Sequence, residues 1–478
     1  MKRIAVARIS RLIAGWQGLP GTLPQQLGSA LGRLVAAREL PVGALLPSER
    51  ALAAALGLSR GTVVAAYGLL RDAQLVASQQ GSGYRIVASS NSPGAVHTRL
   101  VGEVSALPQQ LDMSSGALPA SPTLLRLLSG LQGADLARIV SGLGYDAYGL
   151  PELRAAVARY YSDLGLATRA EQILITSGAQ QAVWLLANAL LDASDAVVVE
   201  DPSYRGSLEA FRRRNARLLG VNVTPRGLDW QQLERHLQQR PRLAYLFAEC
   251  HNPTGRSMDQ AARQRLVALL RQHDVLLVED GSQSELHAQP GLPPSPLAAL
   301  CEPGRVATIG TMSKLFWGGL RVGWVRAEPA LLQRLASMKA VNDLGSSRFD
   351  QRLALELLES LPEARAQRLA QIQQQLQQAE QLLRSEGGRD WRWSRPDGGT
   401  ALWIHIPGAD MVALSEAAAR QGVLLTVGPG YSVSESYGEY LRLPFVRPAQ
   451  QLGDAVRLVQ RLLAEQRAPV DGAPRPFS

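Results

Sequence analysis

Lysine is scarce in this chain: of its 50 basic residues, only Lys2, Lys314 and Lys339 are lysines. Arginine stays protonated and cannot attack as an amine, whereas a lysine among apolar neighbours can shed its proton and form a Schiff base with an aldehyde. Lys314 has such neighbours in GTMSKLFWGGLRVGW, which also holds Thr311, Ser313 and Arg321. Two hydroxyls and a guanidinium beside an amine are suitable ligands for a phosphate. A surface lysine with a buried stem is the plainer alternative.

Four other places carry similar potential. Asp280 closes the apolar run VLLVE, where a carboxylate is buried only if paired, and a protonated pyridine nitrogen would pair it. Asn252 in HNPTG offers an amide that can donate to a phenolate oxygen, although taken singly the motif favours an ordinary Asn-Pro turn. Tyr204 in EDPSYRG is either a ring that stacks on a planar ligand or a core tyrosine. Ser177, Gly178 and Ala179 open a helix after ILIT, where free N–H groups bind phosphate and glycine allows close backbone approach.

The elements that must position these residues are legible from Leu111 onward. Short β-rich runs (ILIT at 173, AVVVE at 196, LAYLF at 243, VLLVE at 275, VATIG at 306) alternate with helical segments. Such alternation predicts an α/β fold, a mainly parallel sheet with helices on both faces and ligands at the carboxyl ends of the strands. The residues named above all follow those ends. Together they supply what pyridoxal phosphate needs: an aldehyde-binding lysine, a carboxylate that keeps the ring nitrogen protonated, a stacking aromatic and a phosphate cup.

On these motifs, residues 111–466 resemble the fold-type I aminotransferases, with a smaller C-terminal α/β subdomain from about 350. The resemblance implies that Lys314 holds the cofactor covalently, Asp280 pairs with its ring nitrogen, Asn252 bonds its ring hydroxyl and Tyr204 stacks on it. Ser177, Gly178, Ala179, Thr311, Ser313 and Arg321 would surround its phosphate, and Tyr145 in LGYDAYGLPELR would reach it from a partner subunit. Arg442 in YLRLPF matches the arginine that clamps a substrate carboxylate, a surface ion pair being the alternative. One position departs from the family: many relatives carry a tyrosine two residues past the aspartate, where this chain has Ser282. The ring hydroxyl then rests on Asn252, and the cofactor's electronic tuning, hence turnover, stays open.

The first 87 residues differ in character. They hold ten basic side chains against three acidic ones, +7 of the chain's formal +9, so a polyanionic partner meets this end. Leu27, Leu31, Leu34 and Val35 recur at helical spacing; Ser48 caps a second helix that Gly57 closes, and Ser59 caps a third with the stripe Val63, Tyr67 and Leu70. LVASQQGSGYRIV then makes a hairpin with Gly81, Ser82 and Gly83 at its tip. Three helices and a hairpin form a winged helix, with Arg60, Gly61 and Thr62 at the start of the recognition helix and Arg50 nearby. The charge and the wing favour DNA binding over a small domain that uses Arg50 and Arg60 only for solubility. The spaced motifs P-S-x-R-x-L-A, S-R-x-T-V and G-x-G over residues 23–87 resemble the winged helix of the GntR regulators.

Residues 88–110 are rich in Ser, Gly and Pro and read as a flexible linker, and 467–478 as a disordered tail. MKRIAVARISRLIAGW begins like a signal peptide, but Arg8 and Arg11 interrupt it; Ile9, Leu12, Ile13 and Trp16 form a helical stripe instead. No apolar run approaches the ~20 residues of a membrane span. Cys250 and Cys301 form no CxxC pair and the six histidines lack metal-ligand spacing, which points to a reducing cytoplasm without structural metal.

A GntR-like head on an aminotransferase-like body resembles the MocR/GabR group of bacterial regulators along the whole chain. The resemblance implies a head-to-tail homodimer that reads repeated half-sites on double-stranded DNA. The expected function is transcriptional regulation in which pyridoxal phosphate, or an amino compound that reacts with it at Lys314, modulates promoter binding. A working aminotransferase with an appended DNA-binding domain is the rival.

Overall fold

The computed structural model describes residues 4, 6–13, 16, 22–36, 40, 44–72, 75–79, 83–86, 110–133, 137, 139–140, 143–224, 226–288 and 293–467. The chain divides into two compact units, 1–105 and 106–478. Gly81, Ser82, the expected linker up to 109 and the tail from 468 lie outside the described residues.

In the first unit four helices, α1 (Val6–Leu12), α2 (Leu23–Ala36), α3 (Glu49–Leu56) and α4 (Arg60–Asp72), precede the antiparallel hairpin of β1 (Val76–Gln79) and β2 (Gly83–Ile86). Ser48 Oγ accepts the amide of Ala51 at 3.3 Å, a cap whose loss costs ~1 kcal/mol. Gly57 ends α3 in the left-handed region, φ 65°, which glycine enters without steric cost. The chain then turns by 118° into α4. Val63, Ala66, Tyr67 and Leu70 of α4 bury their stripe with Leu27, Leu31, Leu34 and Val35 of α2, and Ile9, Ile13 and Trp16 join them. Among the described residues no single helix is long and apolar enough to cross a membrane.

The second unit contains two sheets. Thirteen strands build them: β3 (Leu111–Met113), β4 (Ile173–Thr176), β5 (Ala196–Asp201), β6 (Arg217–Thr224), β7 (Gly227–Leu228), β8 (Leu243–Leu246), β9 (Leu276–Asp280), β10 (Val306–Thr311), β11 (Gly323–Arg326), β12 (Arg392–Trp393), β13 (Ala401–His405), β14 (Val423–Val427) and β15 (Tyr440–Pro444). The large sheet runs β4-β11-β10-β9-β8-β5-β6-β7, with β10, β9, β8, β5 and β6 parallel and β11 antiparallel to both its neighbours. Its inner strands are covered on both faces; β5 has no exposed position, which is why these strands read as unbroken apolar runs.

The small sheet runs β12-β13-β15-β14-β3, and β3 enters it from about 310 residues upstream of β14, pairing Leu111 with Val423 and Met113 with Leu425. The start of the small layer needs correcting from about 350. Leu353, Ala354 and Leu357 of the helix Arg348–Glu359 pack into the large core, beside the helices Pro122–Gly130 and Pro151–Asp163. The next helix, Leu361–Glu386, contains the Gln-rich stretch and turns Ile372, Leu376 and Leu383 into the small core.

Candidate functional site

The carboxyl edge of the large sheet gathers most of the residues singled out by type. β4 delivers Ser177 and Gly178 to the start of the helix Ala179–Leu190, β5 leads to Tyr204 at the start of Arg205–Arg213, β9 ends on Asp280, and β10 ends on Thr311 just before Ser313 and Lys314. Asn252 lies on the loop after β8. These strands are pinned by core packing, so the groups they present are held in place without help from a ligand.

A cup forms where β4 meets its helix. Gly178 has φ 96°, and a Cβ there would come within 2.8 Å of Arg321 Nη2, so only glycine lets the guanidinium lie this close. Arg321, itself left-handed at φ 49°, donates to the carbonyls of Ser177 and Gly318. No side chain caps the helix, which leaves its first amides for an anion. Thr311 Oγ1 lies 2.9 Å from the Val322 carbonyl and 3.0 Å from Ser313 Oγ.

The Ser177 amide is taken by Gln181 Oε1 at 2.7 Å, and its hydroxyl lies 3.1 Å from Ser346 Oγ. Gln181 is in turn held by Asp343 (2.6 Å), which also accepts from the fully buried Lys339 (2.9 Å) and from the Gly345 amide (3.0 Å). Burial pushes the Asp343 carboxyl up, but its bonds from Gln181 and Lys339 more than offset this and hold it below the usual range. Neither Ser346 nor the Lys339–Asp343–Gln181 chain carries a motif that sequence reading could have used.

Asp280 is buried. Burial holds its pKa above the usual carboxylate value, an effect only partly offset by the Ser282 hydroxyl and amide, the Tyr245 hydroxyl and the charge of Lys314. The Ser282 amide donates to Asp280 Oδ1 at 2.8 Å and Tyr245 donates to Oδ2. Ser282 therefore serves the carboxylate. Tyr245 was not separable by sequence from any core aromatic of a strand.

Lys314 and Arg442 converge on Gly116. The lysine donates to the Gly116 carbonyl at 3.3 Å, and a Cβ on Gly116 would lie 2.6 Å from Arg442 Nη2. Arg442 is only 4% exposed, reaches the Ser114 carbonyl at 3.5 Å, and pairs with no carboxylate among the described residues. The alternative of a surface ion pair is thereby set aside. Its Nε, Thr400 Oγ1 and Asn252 Oδ1 are buried polar atoms with no partner among the described residues. Each such atom costs ~1–3 kcal/mol unless something bonds it, so these atoms call for a polar ligand. The glycine-lined cup and these orphaned atoms fit a phosphorylated ring compound with a carboxylated amine beside it. Tyr145 is not brought to the site by its own chain and is 74% exposed.

In the first unit, Arg50, Ser59, Arg60, Gly61 and Gly83 are exposed. Ser59 Oγ accepts the Thr62 amide at 3.1 Å, capping α4, and Arg60 grips Glu49 Oε2 across the turn at 2.9 Å.

The family described as aminotransferase class I and II matches residues 131–458, and that described as bacterial regulatory proteins, gntR family, matches 23–86. The uncharacterized HTH-type transcriptional regulator YjiR of Escherichia coli is 30% identical over 87% of this chain and 94% of its own. The probable rhizopine catabolism regulatory protein MocR of Rhizobium meliloti is 28% identical over 64% of this chain and 66% of its own. Among solved structures, α-aminoadipate aminotransferase LysN of Thermus thermophilus, complexed with N-(5'-phosphopyridoxyl)-L-leucine, superposes with a TM-score of 0.70 at 29% identity, covering 78% of this chain and 97% of its own.

Proposed function

Because the chain belongs to the aminotransferase class I and II family, with a gntR-family segment fused ahead of it as in MocR-type regulators, we propose that it is a promoter-binding regulator governed by pyridoxal phosphate. The effector is the cofactor itself or an amino compound that reacts with it at Lys314. Bound, pyridoxal phosphate supplies an aldehyde for amines and a ring that draws electrons. The chain's own residues do the rest. Lys314 presents the amine; Asp280 accepts from the ring nitrogen; Asn252 bonds the ring hydroxyl; Tyr204 covers a ring face. Ser177, Gly178, Ala179, Thr311, Ser313 and Arg321 hold the phosphate, and Arg442 clamps the effector's carboxylate.

The observation that carries this reading is the convergence of Lys314 and the buried, carboxylate-free Arg442 on Gly116. An anion must complete Arg442, and the amine stands beside it. The exposed Arg60 and Arg50 on the basic first unit support contact with DNA.

The active form we propose is a head-to-tail homodimer on repeated half-sites, in the cytoplasm with the chromosome. Val140, Leu143, Tyr145, Val341, Leu344 and Phe349 are large apolar or aromatic side chains left exposed on the second unit, and a second copy would cover them while adding Tyr145 to the cup. Small molecules shift DNA binding only through different affinities for two states of the body. The test is an absorbance spectrum of the purified protein and of Lys314→Ala, with DNA affinity measured with and without cofactor and amines. A visible band lost in the variant and a changed DNA affinity are expected; equal DNA affinity under all conditions overturns the coupling. Rapid multiple turnover of amino acids to keto acids would instead favour the rival transaminase.

A further inference from the structure

Among the buried groups that the motifs do not account for, Tyr245 donates a hydrogen bond to the residue assigned to the cofactor's ring nitrogen. It sits on β8, opposite Val278 of β9, and is fully buried. Phe211 and Phe247 meet its ring edge-to-face, at centroid distances of 5.5 Å each, which fixes the ring plane. Its hydroxyl is thereby aimed at Asp280 Oδ2, while the Ser282 amide holds Oδ1 at 2.8 Å. Each carboxylate oxygen has two acceptor sites, so a site stays open after these two bonds even with the Ser282 hydroxyl also donating. The carboxylate cannot rotate without breaking both.

We infer that Tyr245 is a positioning residue that keeps Asp280 ionised and aimed, and so sets how much positive charge the bound cofactor's ring carries. The inference rests on the reading that Asp280 faces the ring nitrogen. A carboxylate this far from water is a poor anion unless donors stabilise it, and Tyr245 joins Ser282 as a side-chain donor that does so. A donor on Oδ2 makes Asp280 a weaker base, which leaves the shared proton on the ring nitrogen. Removing that donor strengthens the base and draws the proton toward the carboxylate. The ring then carries less positive charge, and acidic groups conjugated to it hold their protons to higher pH.

The test is a pH titration of the holoprotein's visible absorbance band in wild type, Tyr245→Phe and Asp280→Asn, with thermal melting of each apoprotein alongside. Tyr245→Phe is expected to raise the midpoint by about half to one pH unit, the equivalent of one ordinary hydrogen bond. Asp280→Asn should raise it further. If Asp280→Asn moves the midpoint and Tyr245→Phe does not, the role of Tyr245 is overturned and that of Asp280 stands. If neither moves it, the assignment of Asp280 to the ring nitrogen fails first. A merely structural tyrosine would lower the melting temperature and leave the midpoint alone. Should the Phe variant not fold, 3,5-difluorotyrosine at 245 keeps the ring shape and donates more strongly. It must then lower the midpoint, and an unmoved value overturns the inference.

Discussion

Two arginines, one in each unit, do opposite things with the same charge. Arg60 stands in water at the head of α4, its guanidinium shared with Glu49, while Arg442 lies buried in β15 with no carboxylate among the described residues to balance it. An exposed cation acts at a distance, weakly per contact and less so in salt. A buried one acts only at contact, but its unpaid desolvation makes it demand an anion of defined shape. The first unit is built for many modest interactions and the second for a few strict ones.

Variants can break that contrast, and the largest effect belongs to the second unit. Lys314→Ala is expected to cost at least 100-fold in retained cofactor, read as loss of the visible band after dialysis and of any adduct trapped by borohydride. Arg442→Met is expected to weaken carboxylated amines by about 100-fold, the scale of a lost charge-assisted pair, while leaving amines without a carboxylate nearly unaffected. Calorimetry with matched amine pairs checks this, and equal losses for both classes would remove Arg442 from the effector site.

The same rule extends to a neutral buried base. Burial pushes His251 down to about 3, only partly opposed by its bond with the Pro202 carbonyl, so the folded chain keeps it neutral where the unfolded chain protonates it. The unfolded state thus binds the extra proton, and stability is intact above pH 6.5 and falls as pH drops from 6.5 toward 3. One such group contributes a slope of about 1.4 kcal/mol per pH unit, which denaturant melts of His251→Asn should show reduced.

The first unit should respond most gently. Arg60→Ala is expected to weaken DNA binding about tenfold and to lower the slope of log affinity against log salt by roughly 0.9 if it neutralises one phosphate. Glu49→Gln sharpens the comparison, because it frees Arg60 and should strengthen nonspecific binding slightly. If it weakens binding instead, the ion pair serves to aim Arg60.

Legibility in the sequence divides along the same line. The caps Ser48 and Ser59 and the turn at Gly57 are local rules, and the first unit forms as they dictate. The strand ends bearing Asp280, Thr311 and Ser177 were legible because parallel strands betray themselves as apolar runs. What stayed hidden is produced by pairing across long separations. β11 reverses direction between β10 and β4, β3 joins a sheet whose other strands begin near 392, and Gly116 meets Lys314 and Arg442. Tyr245 and Gln181 have unremarkable residue types; only the neighbours that the fold supplies give them a task.

The placement of β3 has a mechanical consequence. Among the described residues those three form the first strand of the second unit; they are laced to β14, and Arg447 donates to the carbonyls of Asp112 and Ser115, a few residues from Gly116. Arg442 and β3 thus belong to one sheet, so a pull on the arginine is borne by the same hydrogen-bonded layer that anchors Gly116, three residues past β3.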